Sequence, residues 1–193
     1  MLRELMILCA LIAADTTVPP VNIDVVTRTS TYAADLAIQE IAARHWRTVG
    51  DLVHPKRGLR FSPYAFIDTQ NGVLLTAEEV AALGDDTSVR HWGTYEGTGE
   101  PIVLTFQKYF ERFVYDRDFW RVKRGMPNER IGRSPTVDNI KKVYRQRDIV
   151  YFEYHAPAAA DSHEYDWRSL RLVFEKFEGR WFLIAIVHDQ WTI

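Results

Sequence analysis

Hydrophobic and polar positions along this chain change period several times, and each change marks an element. Ala34, Ile38, Ile41, His45, Val49 and Leu52 recur at intervals of three or four residues, the spacing of one face of an α-helix. Ser30 or Thr31 caps its start, and Pro55 and Gly58 stop it. Residues 58–68 read as extended, and Pro63 confines them to an edge strand or two short strands. Thr76 and Glu79 have capping-box spacing, which predicts a short helix running to Leu83 with Gly84 just past its end. Residues 88–96 are aromatic and strand-like, before a turn at 97–101. Phe106, Tyr109, Phe110, Phe113 and Val114 then fall at i, i+3, i+4, i+7 and i+8, which makes a helix with an aromatic face. Residues 116–136 are polar and irregular. The chain closes with three expected strands, at 148–155, 167–177 and 180–191, the last two joined at the hairpin signal Glu178-Gly179.

A two-residue turn at Glu178-Gly179 fixes a register. It opposes Phe174 to Leu183, Leu172 to Ala185, Leu170 to Val187 and Arg168 to Asp189, giving an apolar row that ends in an ion pair with Trp191 beside it. The other face then carries Ser169 across from His188, beside Arg171 and Ile186. A longer loop would shift this register and break the pairing. One long helix, short helices and a set of C-terminal antiparallel strands make an α+β order.

The chain begins differently. Residues 5–14 are an apolar run of ten, too short to cross a bilayer core of about 30 Å but long enough for the apolar part of a signal peptide. Small residues up to Ala14 and the polar stretch that follows suit cleavage there, and residues 15–30, with Pro19 and Pro20, read as a linker or extended arm. The expected organisation is a signal peptide at 1–14, the arm at 15–30 and one α+β domain at 31–193.

Composition narrows the function. A 47% hydrophobic content over 193 residues is that of an ordinary globular domain, and a net charge of −2 argues against a general nucleic-acid binder. One cysteine, Cys9, excludes an internal disulfide framework and a cysteine-based zinc site. Charge is nonetheless uneven: between Arg121 and Arg147 nine basic residues face Glu129 and Asp138, so this window carries +7 and the rest of the chain −9. Arg130, Arg133, Lys141 and Lys142 are its candidate anion-binding residues.

Catalytic and metal signals are thin. The six histidines show no zinc-binding spacing, no Gly-x-Ser-x-Gly elbow exists, and residues 68–79 fit a calcium loop poorly, so no metal or cofactor is expected. Ser169 and His188 read as a cross-strand polar pair, not as a nucleophile and its base. His45, on the helix stripe, is either a core histidine or a general acid–base group in a cavity floor.

Three stretches carry a resemblance: His54-Pro-Lys-Arg-Gly-Leu-Arg-Phe-Ser-Pro-Tyr64, residues 166–175 and residues 186–193. They resemble an uncharacterised family of secreted or lipid-anchored bacterial envelope proteins with a nuclear transport factor 2-like, or cystatin-like, fold. The resemblance implies a cone in which a long N-terminal helix packs on a curved antiparallel sheet, and a place in the periplasm, cell envelope or medium. It assigns no catalytic residue, and the surroundings of Cys9 depart from a lipid-anchoring pattern. In such a cone a pocket lies between the first helix and the concave sheet face, with His45, Tyr64, Tyr109, Arg168, Asp189 and Trp191 as ligand-binding candidates. The expected function is non-catalytic binding of a small-molecule ligand or an anionic envelope component, without nucleic acid or a membrane span. The alternative is a small lyase or isomerase using pocket His, Asp and Tyr residues.

Overall fold

Thr29 accepts a hydrogen bond from the Tyr32 N–H and starts α2 (Ser30–Ala42), which buries Ala33, Ala34, Ala37, Ile38 and Ile41 on one side. The structure, a computed structural model, describes residues 22–145 and 148–192; the expected signal segment 1–14, Cys9, residues 15–21 of the arm and Arg147 lie outside the described residues. The helix expected to continue to Leu52 is broken. Arg44 takes φ +59°, a left-handed conformation that ends α2, and α3 (Trp46–Leu52) starts afresh. Trp46 gains from the break: its ring sits edge-on to Phe106 at 4.8 Å and Phe110 at 5.3 Å. Residues 22–30 also differ from an extended arm. They form α1 (Ile23–Val26) and a turn docked on the sheet, where buried Thr27 accepts from Trp181 N–H at 2.8 Å and from Arg180 Nε at 2.9 Å.

The architecture is α+β with one mixed five-stranded sheet, ordered β2-β1-β7-β6-β5, and a separate β3–β4 hairpin. β1 (Leu59–Ser62) runs parallel to β7 (Arg180–Gln190) and antiparallel to the two-residue β2 (Leu74–Leu75), so the strand ended by Pro63 is short but lies inside the sheet, not at its edge. Thr76 and Glu79 form the expected reciprocal capping box on α4 (Ala77–Ala81). β3 (Val89–Thr94) pairs with β4 (Pro101–Thr105), which the sequence pattern did not announce, and α5 (Phe106–Phe113) follows at once, capped by Thr105. A 3-10 turn at Phe119–Arg121 and α6 (Ile140–Val143) interrupt the irregular stretch before β5 (Ile149–Ala156) and β6 (Arg168–Phe177).

At the β6–β7 turn Glu178 and Gly179 both have positive φ, +49° and +81°, as a two-residue hairpin of this hand requires. Phe174 opposes Leu183 as expected, but a bulge at the next step leaves Ile184 unpaired. Beyond it Leu172 faces Ile186, Leu170 faces His188, Ser169 faces Asp189 and Arg168 faces Gln190. One inserted residue exchanges the two faces of a strand. His188 therefore joins Leu170, Leu172 and Phe174 on the side of the helices, with its ring edge-on to Phe113 at 5.9 Å, while Val187 and Asp189 lie on the opposite side.

The inner sheet face, α2, α3 and α5 enclose the main core. Tyr109, Phe106 and Phe113 are fully buried in it, so the space expected to hold a pocket between helix and sheet is occupied by side chains. The outer face carries a smaller cluster of Tyr151, Val173, Ala185 and Val187 with Ile67 and Ile140, under residues 126–145. Edge strand β5 is covered by residues 125–128, since Gly125 N–H donates to the Glu153 carbonyl at 2.8 Å and Asn128 N–H to the Tyr151 carbonyl at 2.9 Å. Among the described residues no helix is long and apolar enough to cross a membrane.

Candidate functional site

Pro63 has no N–H to continue a ladder, and beyond it the chain leaves the sheet through residues 63–72. Four side chains fix that loop. Ser62 Oγ lies 2.8 Å from the carbonyls of both Tyr64 and Phe66. Asn139 accepts the Ile67 N–H at 2.8 Å and donates back to its carbonyl at 2.9 Å. Arg60 Nη1 donates to the carbonyls of Asp68 and Gly72, each at 3.1 Å. Asp68 accepts the N–H groups of Gln70 at 2.8 Å and Asn71 at 3.0 Å. The Asn71 and Gln70 donors hold the Asp68 carboxyl below the usual carboxylate range, so it is a stable anion.

Opposite this loop runs β3. Gly93 takes φ +124°, a backbone conformation that L side chains rarely adopt, and lies beside the Pro63 ring, where a Cβ would make an ordinary contact at 3.6 Å. Between loop and strand opens a cleft of about 370 Å³, lined by Tyr64, Phe66 and Trp92 with Asp68, His91 and Glu96. Trp92 is immobilised from behind: Nε1 donates to the Leu104 carbonyl at 2.9 Å, and the ring stacks on Tyr109 with centroids 4.0 Å apart. Phe66 is 51% exposed, an apolar ring left at the mouth. Tyr64 and Glu96 also line a neighbouring, wider concavity of about 620 Å³ beside Tyr95, Arg112 and Gln190, and the two spaces together are termed the groove. Glu96 Oε2 accepts both the Thr136 and the Thr192 hydroxyl at 2.6 Å, which leaves accepting capacity on its second oxygen. Burial raises the pKa of the Tyr64 hydroxyl, keeping it a neutral donor.

Of the six candidate ligand-binding residues, Tyr64 alone lines the groove. His45 does not floor a cavity: the break at Arg44 turns it out to solvent, 64% exposed, where Nδ1 meets Glu40 at 3.0 Å. Tyr109 lies wholly inside the core, its hydroxyl without a hydrogen-bond partner among the described residues. Arg168 pairs with Asp116 at 3.0 Å and Asp166 at 3.1 Å, not with Asp189, because the β7 bulge moves Asp189 to the other face. Trp191 stacks on Tyr165 at 4.3 Å. His91, Trp92 and Glu96 went unnoticed in the sequence, although glycines at 93, 97 and 99 among aromatic residues are the pattern of a strand approached closely by another segment.

Asp189 belongs to a second constellation, beneath residues 126–139. Arg171 is fully buried there, ion-paired with Asp189, with Asp138 at 2.6 Å and with Glu153 at 3.5 Å. Glu153 also receives the N–H groups of Gly132 at 2.6 Å and Ile131 at 3.0 Å, and Arg130 reaches Asp189 at 3.3 Å. Desolvation raises the pKa of Asp189 against the opposing pull of Arg171. Arg130 is thus committed inward, whereas Arg133, Lys141 and Lys142 are exposed. Next to the cluster, His155 Nδ1 lies 2.8 Å from Ser169 Oγ, and desolvation holds the imidazole below its ordinary pKa. That pair is no hydrolytic centre. Ser169 is fully buried, and a Cβ on Gly132 would come within 2.5 Å of its Oγ, which leaves a substrate no approach to the hydroxyl. Among the described residues no group of three or more His, Cys, Asp or Glu side chains is arranged to hold a metal ion.

Comparison with protein-family models, with curated proteins and with solved structures found no match to this chain.

Proposed function

We propose that this protein is a ligand-binding module whose site is the groove between residues 63–72 and β3, and that its ligand is a small molecule with a flat apolar body and an amine or hydroxyl-rich end. The observation that carries the reading is the lining itself: Tyr64, Phe66 and Trp92 supply apolar walls, Asp68 and Glu96 supply acceptors, and neither Lys nor Arg is among the residues that line the inner cleft, His91 being its one imidazole. Apolar walls provide most of the binding free energy in such sites, and a few polar groups set orientation. The four-point fixing of the loop limits the ordering cost of binding. An exported location, in an envelope protein of nuclear transport factor 2-like type, remains part of the proposal and rests on the apolar run at 5–14 and on the resemblance. Mass spectrometry of the N-terminus tests it, cleavage after Ala14 being the expected result.

A lyase or isomerase reading has one specific support, that His91, Asp68 and Tyr64 line the same cleft. Against it, the lowered pKa of Asp68 makes that carboxylate a weak base. Ligand-observed NMR with a library of neutral, amine and polyhydroxy fragments separates the outcomes. Amine and polyhydroxy hits that disappear in Phe66→Ala, whose exposed ring does not hold the fold together, are expected; hits unaffected by that change would overturn the assignment of the groove.

A further inference from the structure

Two concavities elsewhere on the molecule share Tyr144 as a lining residue, and neither has a lining residue in common with the groove above. The first, of about 380 Å³, is lined by Lys56, Arg57 and Arg60 from the turn leading into β1. The second, of about 270 Å³, is lined by Lys141 and Arg145 from α6 and the residues after it. Together they present five cationic side chains, and among the described residues no carboxylate lines either one. We propose that this double concavity is a binding site for a compact phosphate-bearing ligand, a free phosphate ester or the headgroup of a phospholipid.

The chemistry of the lining supports this choice. Arg60 is oriented by its two carbonyl contacts, so its guanidinium is pre-set and loses little freedom on binding an anion. Arg57 is paired with Glu175 at 2.9 Å and brings less free charge, whereas Lys56, whose Nζ lies 4.8 Å over the Phe177 ring, Lys141 and Arg145 are exposed. A phosphate ester carries about −1.5 to −2 charge at neutral pH with three accepting oxygens, so it suits a lining of several cations better than a single carboxylate would. A long nucleic acid fits less well. The five cations sit in a chain whose net charge is −2, so a polyanion running past the concavities would meet an acidic remainder.

The test uses the full chain, with sn-glycerol 3-phosphate as the soluble probe and phosphatidylcholine vesicles with and without phosphatidic acid as the membrane probe. Isothermal titration and vesicle co-sedimentation are compared for the wild type, for the triple variant Lys56→Gln, Lys141→Gln, Arg145→Gln, and for Arg28→Gln, Lys108→Gln, Lys123→Gln, which removes equal charge from exposed positions outside the concavities. The first triple variant is expected to weaken binding by about tenfold or more, the control by far less, and added salt to weaken the wild type, as for any binding dominated by ion contacts. Binding of glycerol phosphate supports a soluble ligand, and binding only to phosphatidic acid vesicles supports a lipid headgroup. Binding to neither, or an equal loss in both triple variants with circular dichroism melts unchanged, overturns the site.

Discussion

Both faces of the five-stranded sheet bury apolar side chains, but the outer one also buries a cluster of carboxylates around Arg171. On the inner face Phe61, Trp92, Phe106, Tyr109 and Phe113 meet edge to face, stacked or tilted, and contact area sets the stability. On the outer face Arg171, Glu153 and Asp189 are buried as charges and hold the covering segment 126–139 through Glu153 and Arg130. Apolar packing degrades gradually as atoms are removed, whereas a buried ion cluster fails when one partner is lost, since the remaining charges stay in a poor solvent. The regions meet at Glu96, where Thr136 of the covering segment donates to a carboxylate of the groove. The groove thus sits on the rigid aromatic side and borrows one anchor from the charged side.

The sharpest way to break this contrast is to remove Arg171. Arg171→Ala is expected to cost about 3–5 kcal/mol in urea unfolding, as for other buried ion pairs stripped of one partner. Arg171→Met combined with Asp189→Leu is expected to recover only the share of that loss that belongs to Asp189, because Glu153 and Asp138 lose the same cation and stay charged. A single variant no worse than an average surface substitution would mean that the cluster is well solvated.

A second effect is pH-dependent. The raised pKa of Asp189 means that, between the unfolded value of about 3.9 and its folded value, the native state holds a proton that the unfolded chain has lost. The contribution is fully present below the unfolded value and is lost as pH rises through the folded one. Asp189→Asn is therefore expected to flatten the fall in stability over that window, read from urea midpoints at a series of pH values. An unchanged slope would assign the titration elsewhere.

The inner face predicts a smaller effect of opposite sign. Tyr109→Phe removes a buried hydroxyl that has no partner, and a gain of about 1 kcal/mol is expected in the same assay, since an unmet buried donor costs about 1–3 kcal/mol. The smallest change lies outside both regions, at the hairpin. Glu178 holds φ +49° without the freedom of glycine, so Glu178→Gly is expected to stabilise by about 0.5–1 kcal/mol with no change in ligand binding.

What the sequence made legible follows the length of each periodic signal. The β6–β7 hairpin, the Thr76–Glu79 capping box and the aromatic stripe of α5 are local patterns, and each is present in the structure. The bulge at Ile184 is not local. It depends on how β7 meets β6 and β1 at once, and it moved Asp189 from an expected partner of Arg168 to the centre of the charged cluster. Likewise nothing in the spacing of Ile41 and Val49 announced that Trp46 would enter the core and split the helix. The groove was least legible, because Asp68, His91 and Glu96 come from separate turns brought together only by tertiary packing.

Backbone amide NMR of the wild-type protein titrated with the amine and polyhydroxy fragments tests the central claim most directly. Shifts concentrated at residues 61–72 and 91–96, with the amides of Glu153, Arg171 and Asp189 undisturbed, are predicted. Shifts clustered around that buried charge centre, or none in the groove at saturating fragment, would contradict the division of the molecule into a binding side and a holding side.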